Sequence, residues 1–349
     1  MPDAGTVPVR ESMALDKQSL VAWLEGTLPG FSGDLQVHQF AGGQSNPTYQ
    51  LTTPTGKYVL RRKPPGIVIK GAHDVLREAR VMTALADTDV PVPTVVASCD
   101  DPAVIGTEFY LMEKVEGRIF WDAAFTEVPH DERSAYFDAM NGTIASLHAV
   151  SPSDVGLENF GRSGNFFSRQ IGRWTKQYRE DDLAGRNEDM DVLTEWLPTV
   201  IPPEEQVRLV HGDFRCDNMI FHPHEPKVLA VLDWELATLG EPLSDFAYHA
   251  MMYRVPGDIV AGIGGLDPIA LGLPTEEEYI AAYCQRTGRS GIENWNFYIA
   301  FNLFRLAAIF HGIAGRVKRG TAVSAQAAER AANFPRLARL AAEAMELCR

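Results

Sequence analysis

Between residues 35 and 60 apolar and polar positions alternate in short runs, broken at Gly42-Gly43 and at Thr53-Pro54-Thr55-Gly56. A period of two interrupted by turn residues predicts a hairpin-rich β segment. Helical spacing flanks it. Residues 15–28 carry an amphipathic pattern that stops at Pro29-Gly30, and residues 71–86 carry another, with Val75, Ala79, Val81, Met82 and Leu85 apolar. Strands are expected again at 94–98 and 108–114. From about residue 118 the spacing is mainly helical, with helices predicted at 135–150, 166–179, 277–287, 295–317 and 322–347. The stretch 259–273 is apolar but rich in Gly and Pro, and reads as a loop. The resulting outline is α+β and two-lobed. A flexible N-terminus (1–14) precedes a small β-rich N-lobe (15–116), and a hinge near 112–117 leads to a larger, mainly helical C-lobe (117–349).

Composition narrows this only a little. A chain of 349 residues can bury a large core, and 32 basic against 46 acidic residues give a net charge of −14. No basic footprint for nucleic acid is present in that balance. The four cysteines (Cys99, Cys216, Cys284 and Cys348) lie far apart without a CxxC pair, so neither a zinc site nor a disulfide framework is expected. The first 17 residues lack the apolar core of a secretory signal, and no apolar run approaches the length of a membrane span. A reducing cytoplasm, without nucleic-acid or membrane partners, is the expectation.

Chemistry concentrates in one window. His211-Gly212-Asp213 is followed by Asn218 five residues after the aspartate, and by Asp233 fifteen residues later still. Apolar runs precede both clusters, which places them at the ends of short strands. A carboxylate base, an amide oxygen and a second carboxylate, on a loop and a neighbouring strand end, are the parts that phosphoryl transfer from Mg-ATP uses. Oxygen donors in small number suit Mg²⁺, which keeps waters and bridges phosphates. Asp213 is accordingly the candidate base, and Asn218 and Asp233 are the candidate Mg²⁺ ligands. His211 reads as an anchor for the loop and Asp217 as a local ion-pair partner. Glu235 is either close to the metal or a cap for the next turn.

With these motifs in this order, the chain resembles the aminoglycoside phosphotransferase-like (choline kinase-like) family, which has the two-lobed architecture of protein kinases. Within that family it is most similar to the kinase domain attached to some acyl-CoA dehydrogenases. The likeness rests on 58–66, on Phe160-Gly161-Arg162, on 169–178 and on 228–245. It implies that Asp245 braces the catalytic loop. It also implies that Gly42, Gly43 and Ser45 form a short phosphate-binding turn, and that adenine meets the Glu113 carbonyl and the Val115 amide. In place of the family's usual lysine on the third strand, this chain has Arg61, with Glu78 on the next helix as its partner. Arginine keeps the charge and can fork onto phosphate or carboxylate. Because Arg62 and Lys63 are adjacent, a shift of one residue would turn the assignment to the other face of the strand.

The acceptor is the open question. By resemblance it is a small-molecule alcohol, with a hydroxyacyl-CoA leading and an aminoglycoside or amino-alcohol next. Arg169, Arg173 and Lys176 line one helical face, with Arg162 just before it. That face is either a site for an anionic ligand or a solvated surface over buried aromatics. A nucleotide-binding scaffold without turnover is the rival from another class, with Arg61 as its support. Intact Asp213, Asn218 and Asp233 speak against it.

Overall fold

A computed structural model describes residues 5–41, 46–66, 73–162, 164–204, 206–322 and 326–348. They form two compact units. The first runs to Gly117 and takes in Leu229–Glu235, and the second holds Arg118–Val228 and Leu236 onward. The return of 229–235 to the first unit cuts across the simple division at the hinge.

In the first unit, β1 (Thr6–Val7), α1 (Lys17–Thr27), β2 (Gln36–Phe40), β3 (Thr48–Thr53), β4 (Gly56–Arg62), α2 (Val75–Leu85), β5 (Val95–Cys99), α3 (Pro102–Ile105) and β6 (Phe109–Glu113) follow in order. The strands build an antiparallel sheet in the order β1-β2-β3-β4-β6-β5. Residues 1–14 are therefore not wholly irregular. Thr6 and Val7 pair with Phe40 and Gln39, and Glu11–Met13 makes a 3-10 turn. Two residues of edge pairing leave no periodicity to read. On one face Leu20 and Leu24 of α1, with Leu28 just after it, pack with Tyr49, Leu51, Leu60, Phe109 and Leu111. Helix α2 packs on β5 and β6 and starts at Asp74, whose side chain accepts from Arg77 N at 3.1 Å.

The second unit contains α4 (Arg133–Ala149), α5 (Phe166–Glu180), α6 (Glu188–Trp196), β7 (Arg208–Val210) and β8 (Met219–Phe221). After β9 (Val228–Val231) it continues with β10 (Thr238–Gly240), α7 (Pro242–Ala250), α8 (Glu276–Thr287), α9 (Trp295–Lys318), α10 (Ala327–Ala332) and α11 (Phe334–Glu346). The helix expected over 322–347 is two helices. Pro335 lacks an N–H and its ring opposes the carbonyl four residues back, so the chain restarts at Asn333. Helix α9 is long and apolar enough to cross a membrane, contrary to the reading of the sequence. Yet 78% of its apolar window is buried inside the protein, as in a core helix. Strands β7 and β10 pair antiparallel, Leu209 opposite Leu239, and β7 delivers the chain to His211. Gly161 lies against β10 so closely that a Cβ there would stand 2.6 Å from Thr238 Oγ1 and 2.7 Å from Leu239 N. That contact is a physical reason for glycine in Phe160-Gly161-Arg162.

Candidate active site

In the first unit the alternation of β4 decides the orientation of its arginines. Leu60 faces α1, so Arg61 must face α2, and Arg62 returns to the α1 side. Arg61 Nε lies 2.9 Å from Glu78 Oε2, a charge contact off the hydrogen-bond axis. Its Nη2 donates to Asp233 Oδ1 at 2.5 Å and stands 3.9 Å from Glu235 Oε2. Arg62 is buried, donating to the Ile105 and Met13 carbonyls at 3.3 and 3.2 Å with its guanidinium over the Tyr49 ring. Around Glu78, Tyr110 Oη donates to Oε2 at 3.3 Å and Asn46 Nδ2 to Oε1 at 2.8 Å.

Three carboxylates thus share one guanidinium. Burial pushes Glu78 up to about 7 against the pull of Arg61, and the charges of Asp233 and Glu235 push the same way. For Arg61 burial favours the neutral form, but the surrounding acids outweigh it and hold the guanidinium charged. Asp233 sits in the left-handed region at φ 64°. Aspartate is among the few non-glycine residues found there, and such backbone clusters at functional sites. The local excess of negative charge and the oxygen donors fit a dication. These carboxylates do not form a closed cage among the described residues, because Arg61 stands between them.

The other first-unit candidates are placed less tellingly. Gly42, Gly43 and Ser45 lie outside the described residues. Asn46, next to Ser45, is buried, and its Nδ2 is engaged with Glu78. Glu113 ends β6 and donates its N–H to Thr94 O at 2.9 Å, with Val115 two residues on.

In the second unit the loop after β7 is held from below. Asp245 on α7 is buried and accepts from His211 N at 2.7 Å and from Gly212 N at 2.8 Å. Burial disfavours its charge, but His148 and these N–H donors reverse that and hold it below the usual carboxylate range. The charged carboxylate makes His148 Nε2 the donor at 3.3 Å, and His148 Nδ1 lies in hydrogen-bond contact with Tyr283 Oη at 2.7 Å. Gly212 has φ 83°, and a Cβ there would meet Leu236 O at 3.0 Å. Arg305 Nη2 donates to Gly212 O at 2.8 Å.

Asp213 leaves this platform with 26% of its side chain exposed. Its Oδ1 accepts from Tyr248 Oη, and its Oδ2 accepts from Asn218 Nδ2 at 3.0 Å. Desolvation opposes the charge, but Arg215 and the Tyr248 hydroxyl, with His211 and Arg305, hold Asp213 below its ordinary value. Asn218 also donates to the Asp213 carbonyl at 2.9 Å, so its amide nitrogen is spent on Asp213 and its Oδ1 is the remaining hard donor. Arg215 pairs with Asp217 and places Nε 3.7 Å from Asp213 Oδ1. His211 is fully buried, and its Nδ1 accepts from Asp213 N at 3.2 Å. Burial pushes the Cys216 thiol up to about 12, an inert side chain.

Tyr248 and Arg215 were not singled out as site residues from the sequence. Tyr248 had a signal: it stands three residues after Asp245 on one helix, hence on the same face. The basic helix tells a plainer story. Arg169 donates to the Arg162 carbonyl at 2.8 Å, and Arg173 lies over the Trp174 ring. Phe166, Phe167, Trp174 and Tyr178 are buried, while Arg162 and Arg173 are exposed. The contacts of these arginines are therefore with their own segment.

Residues 36–298 match the model of the phosphotransferase enzyme family. The chain belongs to that family. Acyl-CoA dehydrogenase family member 10 of Mus musculus is 44% identical over 325 residues, covering 92% of this chain and 30% of that protein. The chain spans less than half the length of the curated relatives it matches. A crystal structure from Ralstonia eutropha, provisionally described as an aminoglycoside phosphotransferase, has 48% identity and a TM-score of 0.87. It covers 95% of this chain and 99% of that one. The GDP complex of aminoglycoside 2'-phosphotransferase-IIIa shares the fold at a TM-score of 0.63 and 16% identity, covering 94% of this chain and 99% of that one. The phosphotransferase thus has a kinase-like α+β fold, a small antiparallel-sheet lobe with a helical C-terminal region.

Proposed function

We propose that this phosphotransferase is an ATP- and Mg²⁺-dependent kinase acting on a small-molecule hydroxyl, with a hydroxyacyl-CoA as the leading acceptor. The observation that carries the reading is Asp213, an ionised carboxylate fixed by Tyr248 and Asn218 on a loop braced by Asp245. Its lowered pKa makes it a weak base before reaction and a strong hydrogen-bond acceptor. Asp213 therefore orients the acceptor O–H and takes its proton only as the oxygen–phosphorus bond forms and ADP departs. Arg61, kept charged and aimed by Glu78, is the side chain offered to the nucleotide phosphates. Mg²⁺, which Asp233 and the Asn218 Oδ1 would hold, supplies neutralising charge to the phosphates. Support for the acyl-CoA class comes from the relative named as an acyl-CoA dehydrogenase family member, which matches this chain over part of its length.

One observation favours the rival scaffold reading: Arg61 Nη2 occupies Asp233 Oδ1, where a cation would compete with it. A single assay separates the two. ADP release is followed with Mg-ATP against hydroxyacyl-CoAs, aminoglycosides, choline and sugars, with Asp213→Asn as the blank. Turnover above the blank on a hydroxyacyl-CoA is expected. Nucleotide binding with no alcohol exceeding the blank would replace the kinase by the scaffold.

A further inference from the structure

Helix α9 reaches the catalytic loop through Arg305. The helix is seated against α5, where Phe301 lies edge-on to Phe166 and Phe167. Asn302 and Arg305 are three residues apart and share one face. Asn302 Nδ2 donates to Ser244 O at 2.9 Å, next to Asp245, and Arg305 Nη2 donates to Gly212 O at 2.8 Å. The Arg305 guanidinium also lies over the Tyr248 ring, 5.1 Å from its centroid. Among the described residues Arg305 makes no ion pair, so these two contacts are what its guanidinium serves.

Gly212 is the soft joint of the loop. At φ 83° it uses a conformation that glycine adopts without strain, and glycine is equally free to leave it. The Gly212 carbonyl and the Asp213 N–H belong to one planar peptide. Arg305 binds that peptide at its oxygen, and His211 Nδ1 accepts from its N–H at 3.2 Å. The peptide before it is fixed by Gly212 N donating to Asp245 Oδ1 at 2.8 Å. With both planes held, the Cα of Asp213 has one place. Tyr248 Oη and Asn218 Nδ2 then fix its carboxylate. Arg215 cannot anchor the loop in this way, because it belongs to the loop and pairs with Asp217 in the same segment. Arg305 stands outside it, on a helix of 24 residues.

We propose that Arg305 is a positioning residue for phosphoryl transfer, holding the Gly212–Asp213 peptide and the Tyr248 ring together so that the Asp213 carboxylate meets the acceptor hydroxyl in one orientation. One guanidinium thereby supports both the main chain beneath Asp213 and the donor to its side chain. A forked, planar cation is suited to this, with an N–H for the carbonyl and a face for the ring. The proposal rests on Asp213 being the residue that receives the acceptor.

Arg305→Met on the full chain tests this, since it keeps the length of the side chain and removes its charge and donors. With Mg-ATP and a hydroxyacyl-CoA, kcat is expected to fall about 10²-fold, the scale of a small misplacement of a reacting group. The KM for either substrate should stay nearly unchanged, as for an interaction that matters only in the transition state. Arg305→Lys, with the charge and one donor but no fork, should recover part of the loss. Amide hydrogen exchange, followed by mass spectrometry, gives a readout without turnover. Fragments spanning 209–218 should exchange about tenfold faster or more in Arg305→Met, the equivalent of one hydrogen bond to a charged group, while those from α4 and α11 keep their protection. An unchanged kcat in a protein that phosphorylates a hydroxyacyl-CoA overturns the proposal and leaves the kinase standing. So does a raised acceptor KM with kcat intact, which would make Arg305 a contact of the acceptor. Faster exchange in a protein that turns over no alcohol keeps Arg305 as the support of the loop and removes the kinase. Should Arg305→Met fail to fold, Arg305→Lys decides: a kcat equal to the parent's overturns the proposal, and a lower kcat at unchanged KM sustains it.

Discussion

Glu78 in the first unit and Asp213 in the second are both carboxylates set among polar partners, yet they are pushed in opposite directions. Burial wins at Glu78, which rises to about 7, because two further acids compete for the same Arg61. At Asp213 the donors win: Arg215 and Tyr248 outweigh desolvation and hold the group ionised. What differs is the count of donors against acids. The first unit is short of positive charge, with three carboxylates around one guanidinium. The second unit has a carboxylate whose two oxygens are both taken up by donors, Tyr248 and Asn218.

The most severe way to break this comparison is to remove the ionised carboxylate. Asp213→Asn is expected to lower kcat by about 10²–10⁴ while nucleotide affinity changes little, measured by ADP release and by nucleotide titration. A variant with unchanged kcat would end the assignment of Asp213. Next is the opposite end. Arg61→Ala leaves three acids without their guanidinium and is expected to cost about 3–5 kcal/mol in denaturant unfolding. Arg61→Lys should recover part of that and of the nucleotide affinity.

A third test uses His249, whose Nδ1 donates to Phe214 O at 3.1 Å and whose Nε2 accepts from Tyr279 Oη at 2.6 Å. Its folded pKa of about 4 lies below the ordinary 6.5. The unfolded chain therefore binds the proton first. Stability from neutral His249 is full above 6.5 and is lost as pH falls toward 4, by about 3 kcal/mol at most. His249→Gln should flatten that part of a stability-against-pH curve. Tyr248→Phe is milder. Removing one donor to the charged form raises the pKa of Asp213, so the acid limb of kcat/KM moves to higher pH, with about 1 kcal/mol lost in stability. Smallest of all, Arg173→Ala should change stability by no more than about 0.5 kcal/mol. A clear rise in the KM for a hydroxyacyl-CoA would instead place the basic face in the acceptor site.

Much of the scaffold could be read from periodicity because the elements concerned bury one face each. Helices α1, α2, α4, α5, α8 and α9 fall where apolar spacing placed them. Helix α7 is buried along its whole length, from Pro242 to Ala250, so it has no polar stripe to announce it. For the same reason its Tyr248 was passed over. The pairing of Arg61 with Glu78 followed from the resemblance to the family, but the burial of Arg62 did not, since its partners are main-chain carbonyls that no motif encodes. A small cavity beside the end of α7 was the least legible. Its walls come from loop residues near 123 and 260 brought together by close glycine contacts, a tertiary fact without local periodicity.

The first unit is not one continuous stretch of chain. Val231 N bonds to Pro91 O at 2.8 Å, and Trp234, whose Nε1 donates to Val231 O at 3.0 Å, is fully buried, though more than a hundred residues separate the two segments in the sequence. At a synthesis rate of about 5–20 residues per second, the sheet emerges from the ribosome on the order of ten seconds before the segment that joins its unit. During that interval Arg61 has Glu78 but not Asp233, and Pro91 O lacks the Val231 N–H. A nascent chain halted before residue 229 should accordingly be protease-sensitive around Pro91, and resistance should appear once residue 235 has cleared the exit tunnel.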